Sequence, residues 1–197
     1  GRTPWEVFKD ERFLGNSRID PCSKILKRAL ADQWIRARYT PAQCIRLVGM
    51  DFCQRERVRL EALQSRCVPY QVDAPLFWPP ALDKDMAKLL ALQHGLRIPR
   101  LYELGFPHNN CGGACVKAGR RQWALLYRTM PERYAYHMAQ EQELRRVLGK
   151  DISILTERGV DVKTHHLTLD RLAQELSLYP ELALISEKPE AGECGSF

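Results

Sequence analysis

Apolar and polar positions alternate along the chain with two periods, and most segments separate by that test. From Asp20, a natural N-cap followed by Pro21, the run CSKILKRALADQWIRARY places Ile25, Leu26, Ala29, Leu30 and Ile35 near one face of a helix. CIRLVGMD is a short apolar run of the kind a buried strand uses, and VPYQVDAPL is a second. Between them residues 54–65 read as a charged amphipathic helix. Asp83 caps a helix through DKDMAKLLALQHG that closes at Gly95. RRQWALLYRT and PERYAYHMAQEQELRRVLG are two further helices parted at Met130, with Pro131 in a first-turn position. DISILTERGVDVKTHHLTL reads as a hairpin turning at Arg158-Gly159, and LDRLAQELSLY as a last helix. Residues 1–19, broken by Pro4, Gly15 and Asn16, read as irregular apart from a helical turn in EVFKDERF.

Helix and strand in alternation predict an α/β fold: a twisted parallel sheet flanked by helices, with a helical, cysteine-bearing C-terminal extension. The predicted division is a partial nucleotide-binding part at 1–105 and a part at 106–197 holding the cysteine loop, helices and hairpin, packed as one unit.

Composition adds little to that picture and charge adds more. The 197 residues are 45% hydrophobic and 27% charged, ordinary for a globular chain with a sizeable core. No apolar run reaches the roughly 18 residues of a membrane span and no signal peptide opens the chain, so the expectation is a cytoplasmic protein without membrane contact. The net charge of +6 favours anionic partners such as nucleotides, sulfated nucleotides or nucleic acid. The chain opens on Gly1 instead of Met, and a preceding segment is expected.

Seven cysteines, an odd number without a secretion signal, point to thiols used as ligands, nucleophiles or core filler. In PHNNCGGACVKAG, Cys111 and Cys115 flank Gly112-Gly113, and glycines accept the positive φ of a turn sharp enough to bring both sulfurs to one place. Zinc or a four-iron cluster takes about four ligands, and Cys22, Cys194 and His108 are the candidates for the remainder. A tight loop with incidental thiols is the other reading. Cys22 falls in the first turn of its helix, where backbone N–H groups and the helix dipole favour a thiolate or a bound anion, and Arg18, Lys24, Lys27 and Arg28 add positive charge around it. The bland reading of those four cations is a solvated basic face. Cys44, Cys53 and Cys67 read as small buried hydrophobes, His94 as a helix-end cap, and His165 and His166 as structural or exposed strand residues. Trp123, Tyr127, Tyr134 and Tyr136 read as core.

Cys22-Ser23-x-x-Leu26-Lys27 resembles the C-[ST]-x-x-L-K signature of the phosphoadenosine-phosphosulfate reductase family, within the pyrophosphatase-loop, adenine-nucleotide α-hydrolase-like superfamily. TPWEVFKDERFLGNSRIDPCSKILKR, LVGMDF, PRLYELGFPHNNCGGACVKAG and RTMPERYAYHMAQEQELR resemble a reductase-like bacterial and phage subgroup. The resemblance runs from about Thr3 to Cys194 and is most specific over 105–119.

It implies a sheet that binds ATP or another adenine nucleotide at the carboxyl ends of its strands, and chemistry that either reduces a sulfated nucleotide or activates a substrate with ATP for sulfur transfer. It implies a [4Fe-4S] cluster, or zinc instead, on Cys22, Cys111, Cys115 and Cys194, and phosphate or sulfate contacts from Arg18, Lys24 and Lys27, with Arg28 beside them. A thiol or electron-donor protein and a nucleic-acid substrate are further implied partners. In the reductases the cysteine of a Glu-Cys-Gly tail attacks the sulfate sulfur; Glu193-Cys194-Gly195 matches it and makes Cys194 the catalytic candidate. The family's Ser-Gly-Gly phosphate loop is not in these residues and is expected upstream. The tail ends at Ser196-Phe197 without the family's histidine, and Cys22 adjoins Ser23 where cluster-bearing reductases carry a second cysteine. The competing reading is a zinc-stabilised, non-catalytic module that binds nucleic acid or protein through RRQWALLYR and ELRRVLGK.

Overall fold

The structure, a computed structural model, describes residues 1–16, 18–158 and 164–183. It mixes helices and strands and divides into two compact units, one of residues Gly1–Leu30 with Pro99 onward, the other Ala31–Ile98. The N-terminal residues thus belong with the cysteine loop, across the 105/106 line drawn from the sequence. Apolar burial explains this, because Trp5 and Phe8 share a core with Trp123 and Tyr134.

In the Ala31–Ile98 unit, β1 (Ile45–Leu47) and β2 (Gln71–Asp73) pair in parallel, Ile45 opposite Gln71 and Leu47 opposite Asp73. The helix α4 (Gln54–Cys67) joins them, a strand-helix-strand unit as the sequence predicts. Met50, Leu60, Val72 and Ala74 form its small core. Downstream, α5 (Lys84–Gln93) starts on the Asp83 carboxylate, which accepts from the N–H groups of Asp85 and Met86, and ends at His94 before Gly95 at φ +70°. Cys44, Cys53 and Cys67 are half-buried here, Cys67 with its sulfur 3.8 Å from Nη1 of Arg46. Parallel pairing is confined to these two strands among the described residues.

The other unit is built on helices. α1 (Pro4–Asp10) is a helix, not an irregular stretch, because Thr3 and Glu6 form a reciprocal capping box and Pro4 occupies the first turn. Its Trp5, Val7 and Phe8 are fully buried. The next helix opens as α2 (Pro21–Ser23), widens to a π-helical turn at Lys24–Arg28, and continues as α3 (Ala29–Arg36). Asp20 precedes it without a capping hydrogen bond from its side chain, which instead pairs with Arg28 at 3.0 Å. Of the apolar face read from the sequence, Ile25, Leu26 and Ile35 are half-buried while Ala29 and Leu30 are exposed, so it is only partly covered.

A short helix, α6 (Arg100–Glu103), leads to the cysteine loop, after which α7 (Arg120–Thr129) and α8 (Pro131–Leu148) pack together through Trp123 and Tyr134, ring centroids 6.1 Å apart. The strands β3 (Leu155–Arg158) and β4 (Thr164–Leu167) form the predicted antiparallel hairpin, whose turn lies outside the described residues. α9 (Leu169–Leu178) starts on the Thr168 hydroxyl and buries Leu169, Leu172 and Leu176. Each such leucine contributes roughly 1.5–3 kcal/mol. Glu141 of α8 has no exposed surface, and its two carboxylate oxygens accept from the N–H groups of Ile154 at 2.8 Å and Leu169 at 2.7 Å. One carboxylate therefore ties α8 to the hairpin entry and to the start of α9. No helix among the described residues is long and apolar enough to cross a membrane.

Candidate thiol site

The cysteine loop is shaped by three consecutive left-handed residues: Cys111 at φ +50°, Gly112 at +58° and Gly113 at +85°. A side chain at either glycine would collide. A Cβ on Gly112 would stand 2.2 Å from Nη2 of Arg133, and one on Gly113 2.7 Å from the ring of Phe106. The glycines thus serve close approach as well as backbone freedom. The Gln122 side-chain amide, buried on α7, donates to the Gly113 carbonyl at 2.7 Å and pins the loop to the helix.

That turn brings Cys111 and Cys115 to the wall of a cavity of about 690 Å³ that Cys22 also lines. Three of the four thiols singled out by the sequence share this space; Cys194 lies outside the described residues. Cys111 is exposed, Cys22 half-buried and Cys115 buried. Lys27 and Asp20 enter from the Cys22 side, and Arg133 and His137, four residues apart on α8, from the other. A hydrogen bond from the Cys115 thiol, with the positive charges of Lys27 and Arg133, draws the Cys111 thiol down to about 6, so at neutral pH it is a thiolate. Cys22 moves the other way, its thiol pushed up by burial and then by the Cys111 charge.

His137 accepts a hydrogen bond at Nδ1 from the Trp5 indole N–H, 2.9 Å away. Burial first and Arg133 second hold its pKa down to about 4, so it is neutral at physiological pH, with its proton on Nε2. Tyr136, read as core, is 47% exposed and lines the cavity; Trp123 and Tyr134 are core as expected. The Ser23 hydroxyl is buried, lines the cavity and has no hydrogen-bond partner among the described residues.

The predicted anion contacts disperse. Lys27 faces the thiols, Arg18 lines a separate cavity, Arg28 is held by Asp20, and Lys24 is exposed and lines neither. Lys24, Lys27 and Arg28 lie on the π-helical turn at Lys24–Arg28, whereas Arg18 precedes the helix. His108 is buried beside the loop, its Nδ1 accepting from the Asn110 N–H at 3.3 Å, and is not among the residues lining the thiol cavity. Arg133 and His137 escaped the sequence reading, although their four-residue spacing in PERYAYHM marks a shared helix face.

No family model, curated protein or solved structure matches the chain. The site's meaning therefore rests on its own chemistry.

Among the described residues no group of three or more His, Cys, Asp or Glu side chains could hold a metal ion. Zinc needs its ligands around one point, whereas a four-iron cluster takes each thiolate at a separate corner. Cys22, Cys111 and Cys115 all line the cavity, with the Cys111 thiol lowered toward its ionised form and the buried Ser23 hydroxyl without a partner among the described residues.

Proposed function

We propose that the chain is part of a sulfur-transferring enzyme of the phosphoadenosine-phosphosulfate reductase-like kind, acting on an adenine-nucleotide-activated substrate at the Cys22, Cys111 and Cys115 cavity. The observation that carries this reading is the joining of three thiols and two cations, Lys27 and Arg133, in one concave site with Cys111 ionised. A thiolate is the attacking or ligating form of cysteine, and the cations suit the phosphate or sulfate of an activated group. Neutral His137 and buried Cys115 complete the lining. In this reading the β1–α4–β2 unit is the nucleus of a wider, twisted parallel sheet flanked by helices that binds the nucleotide.

Cys22, Cys111 and Cys115 would hold a [4Fe-4S] cluster, with Cys194 as fourth ligand or as the attacking thiol. When bound, the cluster would supply an iron-sulfur centre that handles sulfur or electrons beside the activated group. The chain's own contribution is to hold Cys111 ionised and to keep Cys22 shielded.

The test is incubation of the anaerobically purified protein with sulfated adenine nucleotides under a dithiol reductant, and separately with ATP, sulfide and an RNA acceptor whose carbonyl oxygen is adenylated and then displaced as AMP by sulfide, following sulfite in the first and AMP with thiolated acceptor in the second. Product that disappears in Cys111→Ser supports the reading; absence of product in both reactions contradicts it.

A further inference from the structure

A second cavity, of about 950 Å³, lies in the same unit and shares Val116 and Lys117 with the wall of the thiol site. Six cationic side chains line it: Arg12, Arg18, Lys117, Arg120, Arg121 and Lys150. No Asp or Glu does. Of these, Lys117 lies 3.8 Å from Asp20, and Arg120 lies 2.8 Å from Glu175 and 3.9 Å from Glu157. Arg12, Arg18, Arg121 and Lys150 are exposed. Phe13 adds an aromatic ring to the same wall and is 37% exposed.

We propose that this cavity binds a single strand of nucleic acid. Positive charge of this density in a concave, carboxylate-free wall attracts polyanions, and low-dielectric walls focus that field. The cations come from separate stretches of chain around the opening: 12–18, 117–121 and Lys150. A free nucleotide gathers its charge at one end, whereas a strand distributes phosphates along its length and meets such a wall at several points. The exposed ring distinguishes a single strand from a duplex, because only an unpaired base offers a face for stacking. The strand would pass beside Lys117, two residues from Cys115. The proposal is independent of the thiol chemistry above.

Fluorescence anisotropy with labelled 12-nucleotide single-stranded RNA and DNA, on the full chain, tests it. Saturable binding is expected for at least one of them, with log K falling against log salt by about 0.7 per phosphate contacted. Arg121→Glu and Lys150→Glu, made separately and checked for native melting, should each weaken binding at least tenfold, and Phe13→Ala severalfold. Arg146→Glu makes the same change in net charge outside the cavity and should cost less than twofold. The proposal is overturned if neither strand binds, if Arg146→Glu weakens binding as much as Arg121→Glu, or if ATP competes as tightly as the strand does.

Discussion

The thiol of Cys115 donates a hydrogen bond to the sulfur of Cys111, across a loop whose three consecutive left-handed residues hold both sulfurs on one wall. This contact, with Lys27 and Arg133 nearby, makes Cys111 acidic while burial makes Cys22 the opposite.

The first prediction concerns selective alkylation of the metal-free, reduced protein. Cys111 should react with iodoacetamide before Cys22, its rate rising with pH to a half-maximum near 6. Arg133→Ala and Cys115→Ala should each move that half-maximum upward, because each removes a group that favours the thiolate. Peptide mapping after a timed pulse measures it. Equal rates at Cys22 and Cys111 would contradict the electrostatic account.

The two loop glycines should respond differently to alanine. Gly112→Ala meets only the mobile end of Arg133 and carries the cost of φ +58°, about 1–2 kcal/mol. It should also raise the Cys111 half-maximum by displacing Arg133. Gly113→Ala adds a collision with the buried Phe106 ring at φ +85°, and should cost more in denaturant unfolding, on the order of 3 kcal/mol.

Stability should depend on pH through His137. Its folded pKa of about 4 lies below the ordinary 6.5, so the unfolded chain binds the extra proton first as pH falls. The contribution is complete above about 6.5 and is lost between there and 4, a total on the order of 3 kcal/mol. His137→Phe should flatten that slope, while losing about 1 kcal/mol from the Trp5 hydrogen bond. Unfolding midpoints measured from pH 4 to 7.5 decide it.

Glu141→Gln should destabilise by about 1–3 kcal/mol at neutral pH. An amide has one acceptor oxygen where the carboxylate offers two, so either the Ile154 or the Leu169 N–H would face an NH₂ group. Burial raises the Glu141 pKa, so in the wild type this group's contribution falls as pH rises through its folded pKa. Glu141→Gln should remove that dependence. Thermal unfolding across pH compares the two.

Much of the architecture was legible locally. The strand runs at CIRLVGMD and VPYQVDAPL, the hairpin alternation, Asp83 as a cap and Pro131 at a first turn all follow from short-range rules, and the structure contains each, although the first strand is not the buried one expected: Ile45 and Leu47 are exposed. The Thr3–Glu6 capping box was equally local and was overlooked among the breakers of residues 1–19. The grouping of Cys111 with Cys115 was legible from the glycines, and Cys22 from its helix start. What spacing does not reveal is the far wall: Arg133 and His137 reach the thiols because α8 packs against α1, a tertiary fact. Nor does a four-cation run disclose the π-helical turn at Lys24–Arg28, or that of the four only Lys27 lines the thiol cavity.

Anaerobic reconstitution with iron and sulfide tests most directly whether Cys22, Cys111 and Cys115 form one site. Iron and sulfide bound in equal amounts, with broad visible absorption, are expected for the wild type and for Cys67→Ser. Cys22→Ser, Cys111→Ser and Cys115→Ser should each lose them. Failure of the wild type to take up iron and sulfide, or full occupancy in Cys22→Ser, would contradict a shared thiol centre.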